Sequence, residues 1–242
     1  EPIVGTENIA NGVITVISQD RRGLIWFGTS EGLYSFDGQR FRAFRNQIDN
    51  PDSISDDYVR GLMASSDGRM WVATQGGGLS VYDPASDRFT NYRPNPGDAS
   101  ALPSIATLAL VEAANGDVWI GFGNDGLARW DHSNNRFERF NAGPLAPTAT
   151  ATAGMPGMSG MTVRSLQFDR GGDLWIGTGN GLRRLRAGAV IPEIVASDPD
   201  VADSFDRQYV YALFEASDGR IWIGTQSDGA AVLDRTTGRV TR

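Results

Sequence analysis

Few side chains in this 242-residue sequence are equipped for chemistry. Its one histidine is His132, in Trp130-Asp131-His132-Ser133-Asn134-Asn135. The polar neighbours mark a solvated turn, and a turn residue is the role this pattern favours. A Ser-His-Asp triad would have to use this histidine, and no Gly-x-Ser-x-Gly elbow accompanies it. Cysteine is absent, which removes thiol nucleophiles, thiolate metal sites and disulfides. The 29 acidic residues make chance pairs of carboxylates common, so pairing alone marks no acid–base site. The expectation is a non-catalytic region without a cofactor.

Binding chemistry is better supplied. Arg60, Arg164 and Tyr211 each follow a valine at the head of an apolar run. Set at one level of a channel, they would form a ligand-facing set. The competing reading pairs Arg60 and Arg164 with acids such as Asp56 or Asp57. Met155, Met158 and Met161 lie in Met-Pro-Gly-Met-Ser-Gly-Met, and thioethers at such spacing can hold Cu(I), a soft ion. The same segment also reads as a loop with apolar side chains. Asp49-Asn50-Pro51-Asp52 and Asp198-Pro199-Asp200 lack the ligand spacing of an EF-hand and read as Asx-turns.

These residues are positioned by a repeat. Trp26, Trp71, Trp119, Trp175 and Trp222 stand 45, 48, 56 and 47 residues apart. A glycine lies three residues before each: Gly23, Gly68, Gly116, Gly172 and Gly219. Asp, Asn or Gly precedes four of them, which predicts two-residue hairpins with positive φ. An upstream strand is read as starting at Val13, Val59, Ile105, Val163 and Val210. Small residues follow at Thr15, Gly61, Thr107, Ser165 and Ala212, as an innermost strand needs. Two residues after each Trp comes Gly28, Ala73, Gly121, Gly177 or Gly224, where adjacent sheets would approach closely.

The period predicts an all-β fold, a β-propeller of four-stranded antiparallel blades. Five blades span about 10–45, 56–93, 103–140, 162–196 and 208–242 of a single domain, with 141–161 inserted as a loop. The tryptophans are then packing residues rather than ligand platforms. Phe140 and its aromatic counterparts mark outer strands, which in the fifth copy shrink to Arg239-Val240-Thr241-Arg242.

A net charge of −7 argues against nucleic acid or an anionic membrane as partner. No apolar run approaches the ~20 residues that span a bilayer, so no direct membrane insertion is expected. A chain opening on Glu1 reads as a mature or excised piece whose leader or flanking membrane helix is gone.

Gly23-Leu24-Ile25-Trp26-Phe27-Gly28-Thr29, with Gly32-Leu33 and Phe36-Asp37-Gly38, resembles the two-component-regulator propeller repeat. That resemblance implies the periplasmic sensor part of a membrane receptor, with a histidine kinase or diguanylate cyclase as output outside this chain. It implies a small, sugar-like solute as ligand, adjoining receptor domains and a receptor dimer as partners. It also implies seven blades per propeller, so five read as part of a larger array. The alternative is a closed five-bladed ring in which residues Pro2–Ile9 supply the last outer strand. The repeat is also similar to streptogramin lyases, which would require a His and a metal centrally, and its Asp-Gly turns to those of sialidases. A pure interaction scaffold is the further alternative.

Overall fold

The computed structural model describes residues 12–139, 161–195, 208–235, 237–238 and 240–241. Among them there are five four-stranded antiparallel sheets and no helix. Blade 1 comprises β1 (Ile14–Gln19), β2 (Ile25–Thr29), β3 (Gly32–Phe36) and β4 (Phe41–Phe44). Blade 2 comprises β5 (Val59–Ala64), β6 (Met70–Thr74), β7 (Leu79–Asp83) and β8 (Arg88–Tyr92). Blade 3 comprises β9 (Thr107–Glu112), β10 (Val118–Phe122), β11 (Leu127–Asp131) and β12 (Arg136–Arg139). Blade 4 comprises β13 (Val163–Phe168), β14 (Leu174–Thr178), β15 (Gly181–Leu185) and β16 (Glu193–Ile194). Blade 5 comprises β17 (Val210–Glu215), β18 (Ile221–Thr225), β19 (Ala230–Leu233) and β20 (Val240–Thr241). Each sheet is a meander, with strands in chain order. The chain divides into two compact units, residues 1–120 with 130–138 and residues 121–129 with 139–242.

The register corrects two readings of the first strand. Met63, Gln167 and Phe214 pair with Trp71, Trp175 and Trp222, and in blade 1 it is Ser18 that pairs with Trp26. The counterpart of Val59, Val163 and Val210 is therefore Ile14, not Val13. In blade 3 the strand begins at Thr107, not Ile105. An additional apolar residue before each of these strands had shifted the alignment. The place of Gly61, Ser165 and Ala212 falls in blade 1 to Val16, which pairs with Gly28.

The first hairpins also differ from expectation. In blade 1 the Gly23 N–H donates to Asp20 O and the Asp20 N–H to Leu24 O. Blades 2 to 5 repeat this at Ser65, Ala113, Asp169 and Ala216. Only the glycine of each turn has positive φ, 82–89° across the five. The turn is thus type I with a glycine bulge rather than a two-residue loop with two positive φ values. In blades 1 and 4 the first turn residue is an Asp whose carboxylate also accepts the Trp indole N–H, at 3.1 Å from Asp20 to Trp26 and 2.8 Å from Asp169 to Trp175. Burial works against ionisation of Asp20. The Arg22 guanidinium, the indole and two backbone N–H groups outweigh it and hold the carboxyl below its usual range. Asp169 is fully enclosed and shares Arg235 with Glu215. In blade 2 the residue is Ser65, whose hydroxyl is committed to Asp67 and Arg69, and the buried Trp71 indole has no acceptor among the described residues.

Packing between blades rests on one repeated fit. The leading residue of a blade lies on the small residue that follows the Trp of the blade before. A Cβ on Gly28 would stand 2.5 Å from Val59 Cγ1, and one on Gly121 2.5 Å from Val163 Cγ1. At the second interface Thr107 takes this part, its hydroxyl accepting the Thr74 N–H at 2.8 Å. Around these points Trp26, Leu33, Val59, Val72 and Tyr82 form one core, and Trp175, Leu182, Val210, Ile221 and Ile223 another. At the edge of blade 5, β20 pairs with β19 and supplies the fourth strand. Residues Pro2–Ile9, read as an alternative source of that strand, lie outside the described residues, as does Phe140.

Gly177 and Gly224 separate this fit from glycine's general effect on strands. A Cβ at 177 would collide with Ser165 and lie 2.7 Å from Val210 Cγ1, while one at 224 meets only Ala212 Cβ of its own sheet at 3.2 Å. Gly177→Ala is expected to lower stability by about 2–3 kcal/mol and Gly224→Ala by less than about 1 kcal/mol in urea unfolding. Equal losses would contradict the fit. Asp67 makes a second prediction. Burial opposes its ionisation, but Arg69 and the Ser65 hydroxyl hold its pKa at about 2. Because the folded pKa lies below the unfolded one, Asp67 stabilises above about pH 4, and that contribution is lost as pH falls toward 2. Asp67→Asn should remove this part of the acid limb, read as unfolding midpoint against pH.

Candidate ligand-facing surface

The corrected register makes Thr15, Arg60, Leu108, Arg164 and Tyr211 equivalent, each one residue after the leading position of a first strand. In the first unit, Thr15 is used structurally: its hydroxyl donates to Val59 O at 2.6 Å, across the blade interface. Arg60 donates from Nε to Gln75 Oε1 at 2.6 Å, and its guanidinium lies 4.2 Å from the Tyr58 ring centre. In the second unit the Arg164 guanidinium lies 5.0 Å from the ring centre of Tyr211. The Tyr209 ring is 6.2 Å from that of Tyr211, inclined by 34°. Both tyrosines are exposed.

The structure therefore joins Arg164 to Tyr211, while Arg60 is engaged within the other unit by Tyr58 and Gln75. The ion-pair reading does not hold. Asp56 accepts the Gly76 and Tyr58 N–H groups, and Asp57 accepts that of Asn46. Among the described residues neither Arg60 nor Arg164 is within ion-pair distance of an acid. Arg164 Nε is shut off from solvent without an acceptor there. A guanidinium lying against a phenol ring, with no carboxylate partner among the described residues, can receive a planar anion through its fork of N–H donors. The rings add an apolar, polarisable wall. Tyr58 and Tyr209 escaped notice as members of these sets. Their signal was the matching triplets Tyr58-Val59-Arg60 and Tyr209-Val210-Tyr211.

His132 stands exposed in the β11–β12 turn, its backbone N–H donating to Asp117 at 3.0 Å and its ring edge-on to Trp130. The residue is thus between the third and fourth strands, at the outer side of the sheet. Groups of three or more His, Cys, Asp or Glu able to hold a metal are absent among the described residues. Met155 and Met158 lie outside the described residues; the Met161 carbonyl accepts the Gly126 N–H at 3.3 Å. Asn50 caps its own turn by accepting the Asp52 N–H at 3.1 Å, the Asx-turn expected there; 198–200 lie outside the described residues.

The family model described as two component regulator propeller matches residues 8–31, 53–76, 157–180 and 204–227. These windows take in the first two strands of blades 1, 2, 4 and 5. Blade 3 departs at Phe122, where the others carry Thr29, Thr74, Thr178 and Thr225, whose hydroxyls close the second turn on Gly32, Gly78, Gly181 and Gly229. A search of curated proteins returns no match. Among solved structures, the extracellular domain of hybrid two component system BT3049 from B. thetaiotaomicron is similar at TM-score 0.75 and 24% identity, over 96% of this chain and 30% of that one. PorZ, a surface component of the type-IX secretion system of Porphyromonas gingivalis, is similar at TM-score 0.65 and 17% identity, over 95% and 33%. Virginiamycin B lyase from Staphylococcus aureus is similar at TM-score 0.66 and 14% identity, over 96% and 69%. The chain thus spans about a third of the length of the first two. At these identities the likeness concerns the fold, a β-propeller assembled from four-stranded blades. The two component regulator propeller repeat is thus matched in four of the chain's five sheets.

Proposed function

We propose that this chain is a sensor propeller region of a membrane signalling receptor, placed on the extracellular or periplasmic side, which binds a small solute without transforming it. The observation that carries the reading is Arg164, held against Tyr211 with no acid within ion-pair distance among the described residues, in a chain of net charge −7. Among the described residues nine other arginines have an acid within ion-pair distance, for example Arg22 with Asp20 and Arg235 with Asp169. The repeat family and the likeness to an extracellular two component domain support the receptor setting. Among the described residues no helix is long and apolar enough to cross a membrane, so an anchor and the kinase or cyclase output would be separate segments. The solute would be sugar-like and, to suit Arg164, would carry a carboxylate. It would signal by binding one state of a receptor dimer better than the other, since equal affinity shifts nothing. The fold shared with virginiamycin B lyase supports an enzyme less well, because His132 sits in an outer turn.

A thermal-shift screen with carboxylated sugars, the matching neutral sugars, Ca²⁺ and Cu⁺ tests this. The acidic sugars should raise the melting temperature, by about 2.7 kcal/mol of added stability at a hundredfold excess over Kd. Arg164→Ala should abolish the rise while costing less than about 1 kcal/mol itself, because it breaks no ion pair. Arg235→Ala is the contrasting variant. It strands the enclosed Asp169 and should cost about 3–5 kcal/mol. A panel in which no compound stabilises the protein, or in which Arg164→Ala responds like the parent, would contradict solute binding at this place.

A further inference from the structure

We propose that the cavity between blades 1 and 2 binds a small organic anion with an apolar body: arginines hold its carboxylate, and its aromatic or aliphatic part lies against apolar side chains. Ser35 makes the room. It pairs with Trp26 on one side and Arg42 on the other, so the three side chains share the sheet face that blade 2 covers. Trp26 and Phe44 of that face meet Tyr82 of blade 2 at ring-centre distances of 5.5 and 5.2 Å. Where blade 1 has Ser35, blades 2, 4 and 5 set Val81, Arg184 and Val232 beside the Trp. In blade 4 the Arg184 guanidinium takes up the space itself, 5.3 Å from the Trp175 ring centre and bonded to Asp173. In blade 1 a cavity of about 480 Å³ is left, a size common among small-molecule sites. Both of its walls belong to the first compact unit.

The lining decides the chemistry of the occupant. Leu24, Phe44 and Pro84 supply apolar wall. Arg22 and Arg40 come from the β1–β2 and β3–β4 turns, and Arg42 from β4. The carboxylates of the lining are already committed. Asp37 accepts the Gln39 and Arg40 backbone N–H groups at 2.8 and 2.7 Å. Asp87 accepts the Tyr82 hydroxyl at 2.6 Å and Arg42 Nη2 at 2.9 Å. Arg22 is paired with Asp20, but Arg40 is exposed and within ion-pair distance of no acid among the described residues. Guanidinium N–H donors are therefore in surplus over acceptors, and an oxyanion satisfies them. A cation in the place that Arg184 takes in blade 4 would face three like charges. An apolar body joined to the oxyanion leaves water against Leu24, Phe44 and Pro84. The inference is independent of solute binding at Arg164, which belongs to the other unit.

Phenylacetate is the probe, with phenylacetamide as the control for its charge and inorganic phosphate as the control for its apolar body. The readout is the Trp26 indole N–H signal in proton–nitrogen NMR correlation spectra, identified by its loss in Trp26→Phe. Phenylacetate should shift this signal saturably and leave that of Trp175 in place. Each control should bind at least about tenfold more weakly. Arg40→Ala, at an exposed position without an ion pair, should weaken phenylacetate binding about tenfold. Ser35→Val installs the type of side chain that blades 2 and 5 carry there and should abolish binding with an unfolding midpoint like the parent's. Should that variant not fold, Arg40→Ala decides. Arg164→Ala should bind phenylacetate here as the parent does. A Trp26 signal that phenylacetate leaves unmoved, an equal response to either control, or undiminished binding by Arg40→Ala or by folded Ser35→Val would each overturn the proposal.

Discussion

Everything in this chain depends on how closely a β-branched side chain can approach the backbone of the sheet before it. Val59, Val163 and Val210 each occupy space that any side chain on Gly28, Gly121 or Gly177 would need. That contact sets the spacing of the blades where their first strands converge. It also explains why the Trp two residues earlier is buried, since the sheet that delivers the valine covers the indole with the rest of its face. Loss of the contact would expose the Trp and the aliphatic residues around it together. Stability is therefore a property of neighbouring blades rather than of any one sheet, as in other repeat architectures.

The blade period, the tryptophans and the small residue after each Trp were legible because they recur in every copy. What recurs imperfectly was harder to read. Val13 and Ile105 resemble leading residues, and only the pairing of Ser18 with Trp26 and the start of β9 at Thr107 show that they precede the strand. Hairpin geometry was misread because Asp-Gly suits two kinds of turn, and the backbone hydrogen bonds decide between them. The indole-binding carboxylates of Asp20 and Asp169 carried no repeating signal, since Ser65, Ala113 and Ala216 hold the same place in other blades.

The arginine–tyrosine sets show the same division. That Arg60, Arg164 and Tyr211 share a register position follows from the valine before each. That Arg164 reaches Tyr211 of the following blade, whereas Arg60 turns to Tyr58 just before its own strand, depends on side-chain directions that a pattern does not carry. Conserved packing geometry and variable inner residues thus coexist on the same strands. The positions one residue after the leading side chain are where blades of one repeat can differ without disturbing their neighbours.

A double-mutant cycle between Gly28 and Val59 tests the central contact most directly. Gly28→Ala adds the colliding methyl, Val59→Ala removes the methyl groups of the next blade that it meets while Val16 Cγ1 of its own sheet stays, and the double variant contains both changes. If the two groups compete for one space, the double variant will be more stable than the sum of the single losses predicts, by about 1–3 kcal/mol in urea unfolding. Additive losses would mean that the glycine is required for another reason, and the account of blade packing given above would fail.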